Sequence, residues 1–340
     1  MNASPILIVG NPESWHVGGH LFSAARELGV DASILDIREA QSASKWVNRF
    51  CWRLLGKRPP LLGAFGEKVL AACRGKKVGI CITTGMAPLS ADVLRKLRAA
   101  RVKTVNYSTD DPWNPLNGAR FFWEALREYE AVATPRRANM DDLIRHGCRT
   151  VAYVPFAYAP HVHFPEQAKT PEEASRFQCE AAIVGGGDYD RLPHARALAE
   201  AGIRLHLYGG YWNRDSSLAP FSRGFVYDRD HRLAIAGGLV QIGMVRKANR
   251  DGHSMRSYEV PAMGGCLVTE DTPEHRELYG MENETVLYFK TITEMVNKTK
   301  QLILLPSEAK RLRMALHEKI INGSNRYRDR LKTLIDMGGS

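Results

Sequence analysis

The strongest constraint on the fold is a regular alternation of short apolar segments with helical segments. In the first half, the segments predicted to form strands are residues 6–9, 32–35, 78–82, 103–107, 131–134 and 150–154. The predicted helices between them cover 19–28, 41–75 with a break at Pro59 and Pro60, 92–100 and 137–146. Parallel strands need crossover connections, which are usually helices, so this order predicts a parallel α/β sheet.

The same alternation starts again after residue 178. Strands are predicted at 180–184, 204–208, 239–243 and 266–269, and helices at 192–201, 229–236, 254–263, 292–304, 308–321 and 325–337. Residues 157–178 contain three prolines among polar residues and are predicted to be a linker. We therefore predict an α/β chain of two Rossmann-like domains, 1–157 and 179–324, that face each other across a cleft. Ligands of such sheets bind at the carboxyl ends of the strands.

Composition narrows the class of protein. The chain has 340 residues, a net charge of +10 and a pI near 9.3, which favours anionic partners or else reflects a solvated basic surface. The six cysteines are scattered singly with no CxxC pair, so we expect small core residues rather than a zinc or redox site. No apolar run approaches the length that spans a bilayer, and the first strand starts too early for a signal peptide. These features predict a cytoplasmic protein and leave peripheral membrane contact open.

The loop from Gly10 to Gly19 joins the first strand to the first helix. Its glycines do not follow the GxGxxG spacing, which disfavours a NAD enzyme. Gly18 and Gly19 at the helix start would let main-chain N–H groups approach an anion or a sugar. The alternative is a plain loop with a helix cap.

Two adjacent carboxylates, Asp110 and Asp111, follow the fourth predicted strand, with Trp113 close behind. One of them is a candidate general base for an acceptor hydroxyl, because catalytic groups in this architecture lie at strand ends. A cation site is a weaker interpretation, since two neighbouring carboxylates are a thin ligand set. The alternative without chemistry is an Asp cap before a helix that starts at proline.

The most specific segment is Asp251 to Glu259. Gly252, His253 and Ser254 precede the predicted helix, with Ser254 as its expected cap, and such a helix start favours a diphosphate. Arg256 adds a positive charge, and Glu259 is a candidate acceptor for two ribose hydroxyls. The alternative is an ordinary capped helix with Glu259 in a surface salt bridge.

These residues resemble the GT-B glycosyltransferases, specifically the CgeB-like (spore-maturation type) group. The resemblance is carried by Val184-Gly-Gly186, by Tyr208-Gly-Gly-Tyr-Trp212, and by Gly252-His-Ser-Met-Arg-Ser-Tyr-Glu-Val-Pro-Ala-Met-Gly-Gly265. The Asp-Asp-Pro segment at 110–112 is similar as well. The resemblance implies that the last helix, 325–338, packs back on the N-terminal domain. Retaining GT-B enzymes carry Glu-x7-Glu, whereas this chain has Asp251 in the first position.

The resemblance implies a metal-independent hexosyltransferase that needs no cofactor, takes a nucleotide-sugar donor (a UDP-sugar favoured), and glycosylates a glycan, protein or other hydroxyl acceptor, including anionic ones. The candidate catalytic residues are Asp110, Asp111, Asp251 and His16. The candidate donor-binding residues are Gly186, Arg191, Tyr227, Lys247, Gly252, His253, Ser254, Arg256 and Glu259. Gly18, Gly19 and Trp113 are candidates for the acceptor loop. Alternatives are a nucleotide-sugar epimerase and a binding protein without transfer activity, while a nucleic-acid binder is disfavoured because no basic run of the arm type exists.

Overall fold

A computed structural model describes residues 4–339, which form two compact units. The first unit contains residues 4–155, 248–250 and the C-terminal residues from Tyr327, and the second contains 156–247 and 251–326. Each unit is built around one six-stranded parallel sheet with helices. This confirms the predicted α/β class with two Rossmann-like sheets.

The first sheet has the strand order β2-β1-β3-β4-β5-β6. Its strands are β1 (Ile6–Gly10), β2 (Ala32–Asp36), β3 (Ile80–Thr84), β4 (Lys103–Tyr107), β5 (Ala131–Thr134) and β6 (Val151–Tyr153). Its helices are α1 (Val17–Glu27), α2 (Lys45–Leu54), α3 (Leu62–Gly75), α4 (Ala91–Ala99), α5 (Arg120–Leu126) and α6 (Arg137–Arg145). All five residues of β1 are buried, as expected for a central parallel strand that is covered on both faces.

The second sheet has the order β12-β11-β10-β7-β8-β9. Its strands are β7 (Cys179–Val184), β8 (Leu205–Tyr208), β9 (Ser222–Gly224), β10 (Gly238–Gly243), β11 (Leu267–Glu270) and β12 (Leu287–Phe289). Its helices are α7 (Pro171–Phe177), α8 (Leu192–Glu200), α9 (Asp228–Gly237), α10 (Arg256–Ala262), α11 (Pro273–Tyr279), α12 (Ile292–Leu304) and α13 (Pro306–Asn322). The strand order reverses between β7 and β10, and open α/β sheets bind ligands beside such a switch point.

The last helix, α14 (Tyr327–Gly339), belongs to the first unit. It packs against α1 and β4. Gly338 faces the side chains of Ile80 and Val105 closely enough that a Cβ would lie 3.2 Å from each. The chain therefore returns to its first sheet after completing the second.

The segment predicted to be a linker is ordered structure of the second unit. Thr170 caps α7 by accepting a hydrogen bond from the main-chain N–H of Glu173. Arg229 and Arg232 of α9 donate to the carboxylate of Glu166 at 2.6 and 2.7 Å. The prolines and polar residues led to the wrong prediction here, because these ion pairs act together with buried apolar side chains such as Val162 and Phe177 to hold the segment in the second unit.

Four short elements, α5, β9, α11 and β12, were not predicted. Each has three or seven residues, too few for hydrophobic periodicity to identify. The six cysteines are all buried and free, which confirms the interpretation as small core residues. None of the helices among residues 4–339 is long and apolar enough to cross a membrane.

Candidate functional site

Arg191 occupies the switch point of the second sheet. Its guanidinium Nη1 donates to the carbonyl of Gly186 after β7 at 3.1 Å, and Nη2 donates to the carbonyl of Met244 after β10 at 3.3 Å. The side chain is 12% exposed, and this burial lowers the pKa of Arg191. The two strands that flank the switch point are thus bridged by a fixed, nearly buried positive charge, which suits a bound anion.

Two of the glycines after β7 pack closely against Arg191 and Trp212. A Cβ at Gly185 would lie 2.7 Å from Arg191 Nη1, and a Cβ at Gly187 would lie 2.9 Å from the ring of Trp212. Trp212 is fully buried and its indole N–H donates to the Gly185 carbonyl at 2.8 Å. The Gly-Gly-Gly and Tyr-Gly-x-x-Trp segments therefore form one packed structure, with Gly186 between them.

A narrow cavity beside β7 and β10 brings together three of the predicted donor-binding residues. Arg191, Ser254 and Arg256 line it, with Ser257 and Thr269 as further polar residues. Its remaining lining is mostly apolar, from β7, β10 and β11. Polar groups that converge in an apolar pocket are typical of a small-molecule site.

Glu259 and Arg256 are partners in the structure. The Arg256 guanidinium donates to Oε2 of Glu259, and Oε1 of Glu259 lies 3.6 Å from Nε2 of His163. Glu259 is 1% exposed, so the predicted ribose carboxylate lies within a buried polar cluster rather than in a surface salt bridge. His231 lies beside His163, and burial together with Arg256 and Arg232 holds the pKa of His231 well below its ordinary value.

The loop before α10 corrects two predictions. The helix begins at Arg256 rather than at Ser254, and its cap position is Met255, without a side-chain cap. His253 is 1% exposed, and its Nε2 accepts from the main-chain N–H of Phe156 at 3.2 Å, so His253 anchors the chain. The observed hydrogen bond runs opposite to the expected cap, because the main-chain N–H of Ser254 donates to the Ser257 hydroxyl.

Ser257 and His275 fix this loop through a chain of hydrogen bonds. The Ser254 N–H donates to Ser257 Oγ at 3.0 Å, and Ser257 Oγ lies 2.9 Å from Nε2 of His275. The other ring nitrogen of His275 lies 2.8 Å from the carbonyl of Glu270. Because that carbonyl only accepts, Nδ1 carries the hydrogen and Nε2 accepts from Ser257. Burial lowers the pKa of His275 to about 4, so the ring is neutral.

Gly252 and Asp251 lie at the start of this loop. The carboxylate of Glu274 lies directly over the α-carbon of Gly252, and the Thr272 hydroxyl donates to the Gly252 carbonyl at 2.6 Å. Asp251 is half-buried, and its charge is one of those that act on Arg191. The structure therefore places Asp251, the first residue of the predicted Asp-x7-Glu pair, near Arg191 at the switch point.

Three residues that were not predicted from the sequence lie at the same edge: Glu270, Arg246 and His194. Glu270, at the end of β11, accepts from the main-chain N–H of Val245 at 2.6 Å, and Arg246 pairs with Asp188 at 2.9 Å. His194 lies close enough to Glu270 and Lys247 for both charges to affect it, and burial lowers its pKa. For Glu270 and Arg246 the available signal was their position at the end of β11 and after β10, since β11 was predicted to end near Glu270, whereas His194 lies within α8. Lys247 itself is exposed.

Tyr227 belongs to an aromatic pair at the end of β9. The rings of Phe225 and Tyr227 stack with centroids 6.0 Å apart and planes 3° from parallel, and Phe225 is 66% exposed. A Cβ at Gly210 would lie 2.9 Å from Phe225, and Gly210 also accepts from the N–H of Gly187. The pair therefore adjoins the glycine loops after β7 and β8.

In the first unit, Asp110 and His16 lie near each other. The Asp110 carboxylate lies beside Gly85, which follows β3, and Asp110 is half-buried. His16 is exposed at the start of α1. Desolvation lowers the pKa of His16, and the carboxylates of Glu13 and Asp110 partly oppose that shift. A carboxylate and an imidazole are the groups that most often transfer protons in enzymes, so Asp110 and His16 are candidates for that role.

Asp111 is placed differently from Asp110. It is 1% exposed, and its carboxylate accepts from Asn139 at 2.8 Å and from Arg250 at 2.7 and 3.0 Å. It also accepts from the N–H of Trp113 at 2.9 Å. A general base must reach its substrate, but the carboxylate of Asp111 is buried and already accepts these hydrogen bonds. This corrects the prediction that either aspartate can serve as the base, and leaves Asp110 as the candidate.

Gly18 and Gly19 lie within the first turn of α1, not before it. A Cβ at Gly18 would lie 2.5 Å from the Asn11 carbonyl, and one at Gly19 would collide with the Glu13 carbonyl. Both glycines are therefore required because the helix packs against its own preceding loop. Trp113 is half-buried against the core of the first unit, with its ring edge-on to His146.

Several solved structures share this fold over nearly the whole chain. A sucrose-phosphate synthase from Thermosynechococcus elongatus is 11% identical, with a TM-score of 0.69 and 98% of each chain covered. The Anabaena HepE protein in complex with UDP-glucose is 12% identical, with a TM-score of 0.65 and 98% of each chain covered. A UDP-forming α,α-trehalose-phosphate synthase from Burkholderia xenovorans is 12% identical, with a TM-score of 0.61 and 99% of each chain covered. These similarities establish the GT-B fold.

A family described as "Glycosyl transferase-like" matches residues 191–336. The match starts at Arg191 and includes α10 with Arg256 and Glu259. No curated protein sequence matches the chain. The family match and the fold together support glycosyl transfer as the class of activity.

Proposed function

We propose that this chain transfers a sugar from a nucleoside-diphosphate donor, with UDP-sugars favoured, to a hydroxyl group of an acceptor. The observation that supports this most directly is Arg191, which bridges β7 and β10 at the switch point and lines a cavity with Arg256. Two structures of the same fold are named for UDP chemistry, one as a complex with UDP-glucose and one as UDP-forming. The narrower assignment, a CgeB-like hexosyltransferase, is supported only by the motif resemblance.

The donor lies along the carboxyl edge of the second sheet in this proposal. The base stacks on Phe225 and Tyr227, the ribose hydroxyls donate to Glu259, and the diphosphate contacts Arg191 and Arg256. Negative charge grows on the leaving diphosphate during transfer. Arg191 is already fixed at the switch point, and Arg256 exchanges Glu259 for the diphosphate as the donor binds, so both guanidinium groups are in place when that charge develops. For this reason we propose that the reaction needs no metal ion.

Asp251 and Asp110 have separate roles. Asp251 faces the sugar end of the donor, and its side chain is one methylene shorter than the glutamate of Glu-x7-Glu enzymes. Asp110, with His16 beside it, is the base that accepts the acceptor proton if the reaction inverts the anomeric centre. A retaining reaction requires no such base, so the two stereochemical courses differ in their dependence on Asp110.

A donor panel tests the proposal. Thermal shift with UDP-, GDP-, TDP- and ADP-sugars should show stabilisation by one nucleotide class, and the stabilising donor should release its nucleoside diphosphate when acceptor is added. The Arg191→Met variant is the control for site-specific binding. Nucleotide release that persists in EDTA supports metal independence, whereas no binding and no turnover with any donor would refute the function.

An epimerase is the second candidate. A structure titled as a putative UDP-N-acetylglucosamine 2-epimerase from Listeria monocytogenes shares the fold, with a TM-score of 0.57 and 11% identity, and 98% of this chain and 95% of that chain are covered. An epimerase would change its donor in the absence of an acceptor. Proton NMR of the donor with enzyme alone therefore distinguishes the two activities. Binding without turnover in either assay would indicate a non-catalytic nucleotide-sugar binder.

A further inference from the structure

Helix α2 has little of its surface packed against the first unit. Among its ten residues only Cys51 is buried. Its large apolar side chains point outward instead: Trp46 is 78% exposed, Leu54 69% and Phe50 55%. Surface apolar residues are normally scattered singly, and a contiguous exposed patch marks an interaction site.

The apolar side chains of α2 form one stripe. At about 100° of rotation per residue, Trp46, Val47, Phe50 and Leu54 fall within a sector of about 100°, and Cys51 lies about 40° beyond the Val47 edge of that sector. Lys45, Arg49 and Arg53 follow one another along one edge of that sector. The helix is therefore amphipathic, but its apolar face points to solvent. Its cations lie along one edge of that face.

Charge restricts what can cover this stripe. Between Glu39 and Glu67 the chain has no acidic residue, and it has five basic ones: Lys45, Arg49, Arg53, Lys57 and Arg58. Lys57 lies 5.5 Å from the ring of Trp52, a further exposed aromatic. A symmetric contact between two copies of α2 would bring two sets of these cations together, and the segment itself supplies no carboxylate to pair with them. An anionic surface with an apolar layer beneath it satisfies both features.

We propose that α2 is an interfacial helix that binds the first unit to a bilayer containing anionic phospholipids. Ten residues give a helix about 15 Å long, half the thickness of a hydrocarbon core, so α2 lies in the plane of the interface. Trp46, Phe50 and Leu54 enter the boundary between headgroups and acyl chains. Arg49 and Arg53 contact lipid phosphates. This binding is independent of the donor chemistry proposed above.

Vesicle flotation with the full chain tests this inference. One set of vesicles contains phosphatidylcholine alone, and the other contains phosphatidylcholine and phosphatidylglycerol in equal amounts. We expect at least about ten-fold more protein on the anionic vesicles, with binding that weakens as salt is raised. The Trp46→Glu/Phe50→Glu variant should lose this binding. The Leu304→Glu/Met314→Glu variant, which changes equally exposed positions of the second unit by the same charge, should keep it.

Circular dichroism and thermal melting show whether each variant is folded, and size-exclusion chromatography reports the oligomeric state. The inference is overturned if the folded wild-type protein stays off anionic vesicles, or if the Trp46→Glu/Phe50→Glu variant floats as the wild type does. A wild-type dimer that this variant converts to a monomer, without any vesicle binding, would instead assign the stripe to a second copy. Donor binding in all these variants should equal that of the wild type, so failure here leaves the proposed activity untouched.

Discussion

The guanidinium of Arg256 is paired with the carboxylate of Glu259, three residues further along α10, and that carboxylate is 1% exposed. From the sequence, Arg256 was predicted to contact the diphosphate of the donor and Glu259 its ribose. In the structure each neutralises the other. A buried carboxylate needs such a partner, so a donor must replace this contact as it binds. Phosphate would take over Arg256 while ribose hydroxyls donate to Glu259.

Replacing Glu259 by Gln should weaken UDP binding by roughly ten-fold or more, because the amide accepts fewer and weaker hydrogen bonds from the ribose than a carboxylate does. Isothermal titration calorimetry with UDP measures this. The 2′,3′-dideoxy analogue of UDP provides the control, since it should bind the wild type and Glu259→Gln with similar affinity. Equal loss for UDP and its dideoxy analogue would contradict ribose recognition by Glu259.

Replacing Arg191 by Met should lower the affinity for UDP by roughly 10- to 100-fold, the loss of one or two charge-assisted hydrogen bonds. Uridine, which has no phosphate, should bind both proteins equally. Arg204→Met is the matched control, because Arg204 lies at the amino end of β8, 66% exposed and paired with Glu180. A similar loss in Arg204→Met would show that Arg191 has no specific role.

Asp110→Asn and Asp111→Asn should affect different properties. The first should reduce activity, and the second should reduce stability. Asp110→Asn should reduce kcat by about 10²-fold or more if Asp110 is a general base, with little change in stability. Asp111→Asn should lower the free energy of unfolding by about 1–3 kcal/mol, since Arg250 and Asn139 lose a buried charged acceptor. Steady-state kinetics and urea unfolding separate the two. Unchanged kcat in Asp110→Asn would remove it from the mechanism and favour a retaining course.

Phe225→Ala should weaken UDP binding by roughly 5- to 100-fold, because stacking of a base on an aromatic ring contributes about 1–3 kcal/mol. The stacked partner Tyr227 would remain, so the effect should be larger in Phe225→Ala/Tyr227→Ala. Met281→Ala, which removes a similarly exposed apolar side chain at 65%, is the control. Fluorescence or calorimetric titration that shows no change in the double variant would place the base elsewhere.

His275 should make stability depend on pH. Its pKa is about 4 in the folded protein and near 6.5 when unfolded, so between these values the unfolded state binds more protons. Stability therefore falls as the pH drops from about 6.5 to 4, by on the order of 2 kcal/mol between pH 7 and 5 from this residue alone. Urea unfolding at both pH values measures the slope, which should be smaller in His275→Gln. An identical slope in the variant would contradict burial of a neutral His275.

The proximity of several candidate site residues could be predicted, because their position in the sequence implies their position in the sheet. Gly186, Arg191, Asp251 and Arg256 follow strands or begin helices of a parallel sheet, and such ends meet at one edge. Glu270 and His194 were missed, since neither a lone carboxylate at the end of a strand nor a lone imidazole within a helix has a distinctive sequence pattern. His253 was assigned to the ligand, although its Nε2 already accepts from the main-chain N–H of Phe156, whereas Ser254 lines the cavity.

The sequence by itself determined the α/β class, the two parallel sheets and the edge at which chemistry is expected. Hydrophobic periodicity and glycine positions are local properties, so they are visible in the amino-acid sequence. Only the tertiary structure distinguished Asp110 from its neighbour Asp111, joined Arg256 to Glu259, and showed that the apolar stripe of α2 is exposed. Those properties depend on which distant side chains, such as Arg250 and Asn139, arrive at a given carboxylate. Burial and pairing of charge are decided by packing between segments far apart in the chain, which no local pattern records.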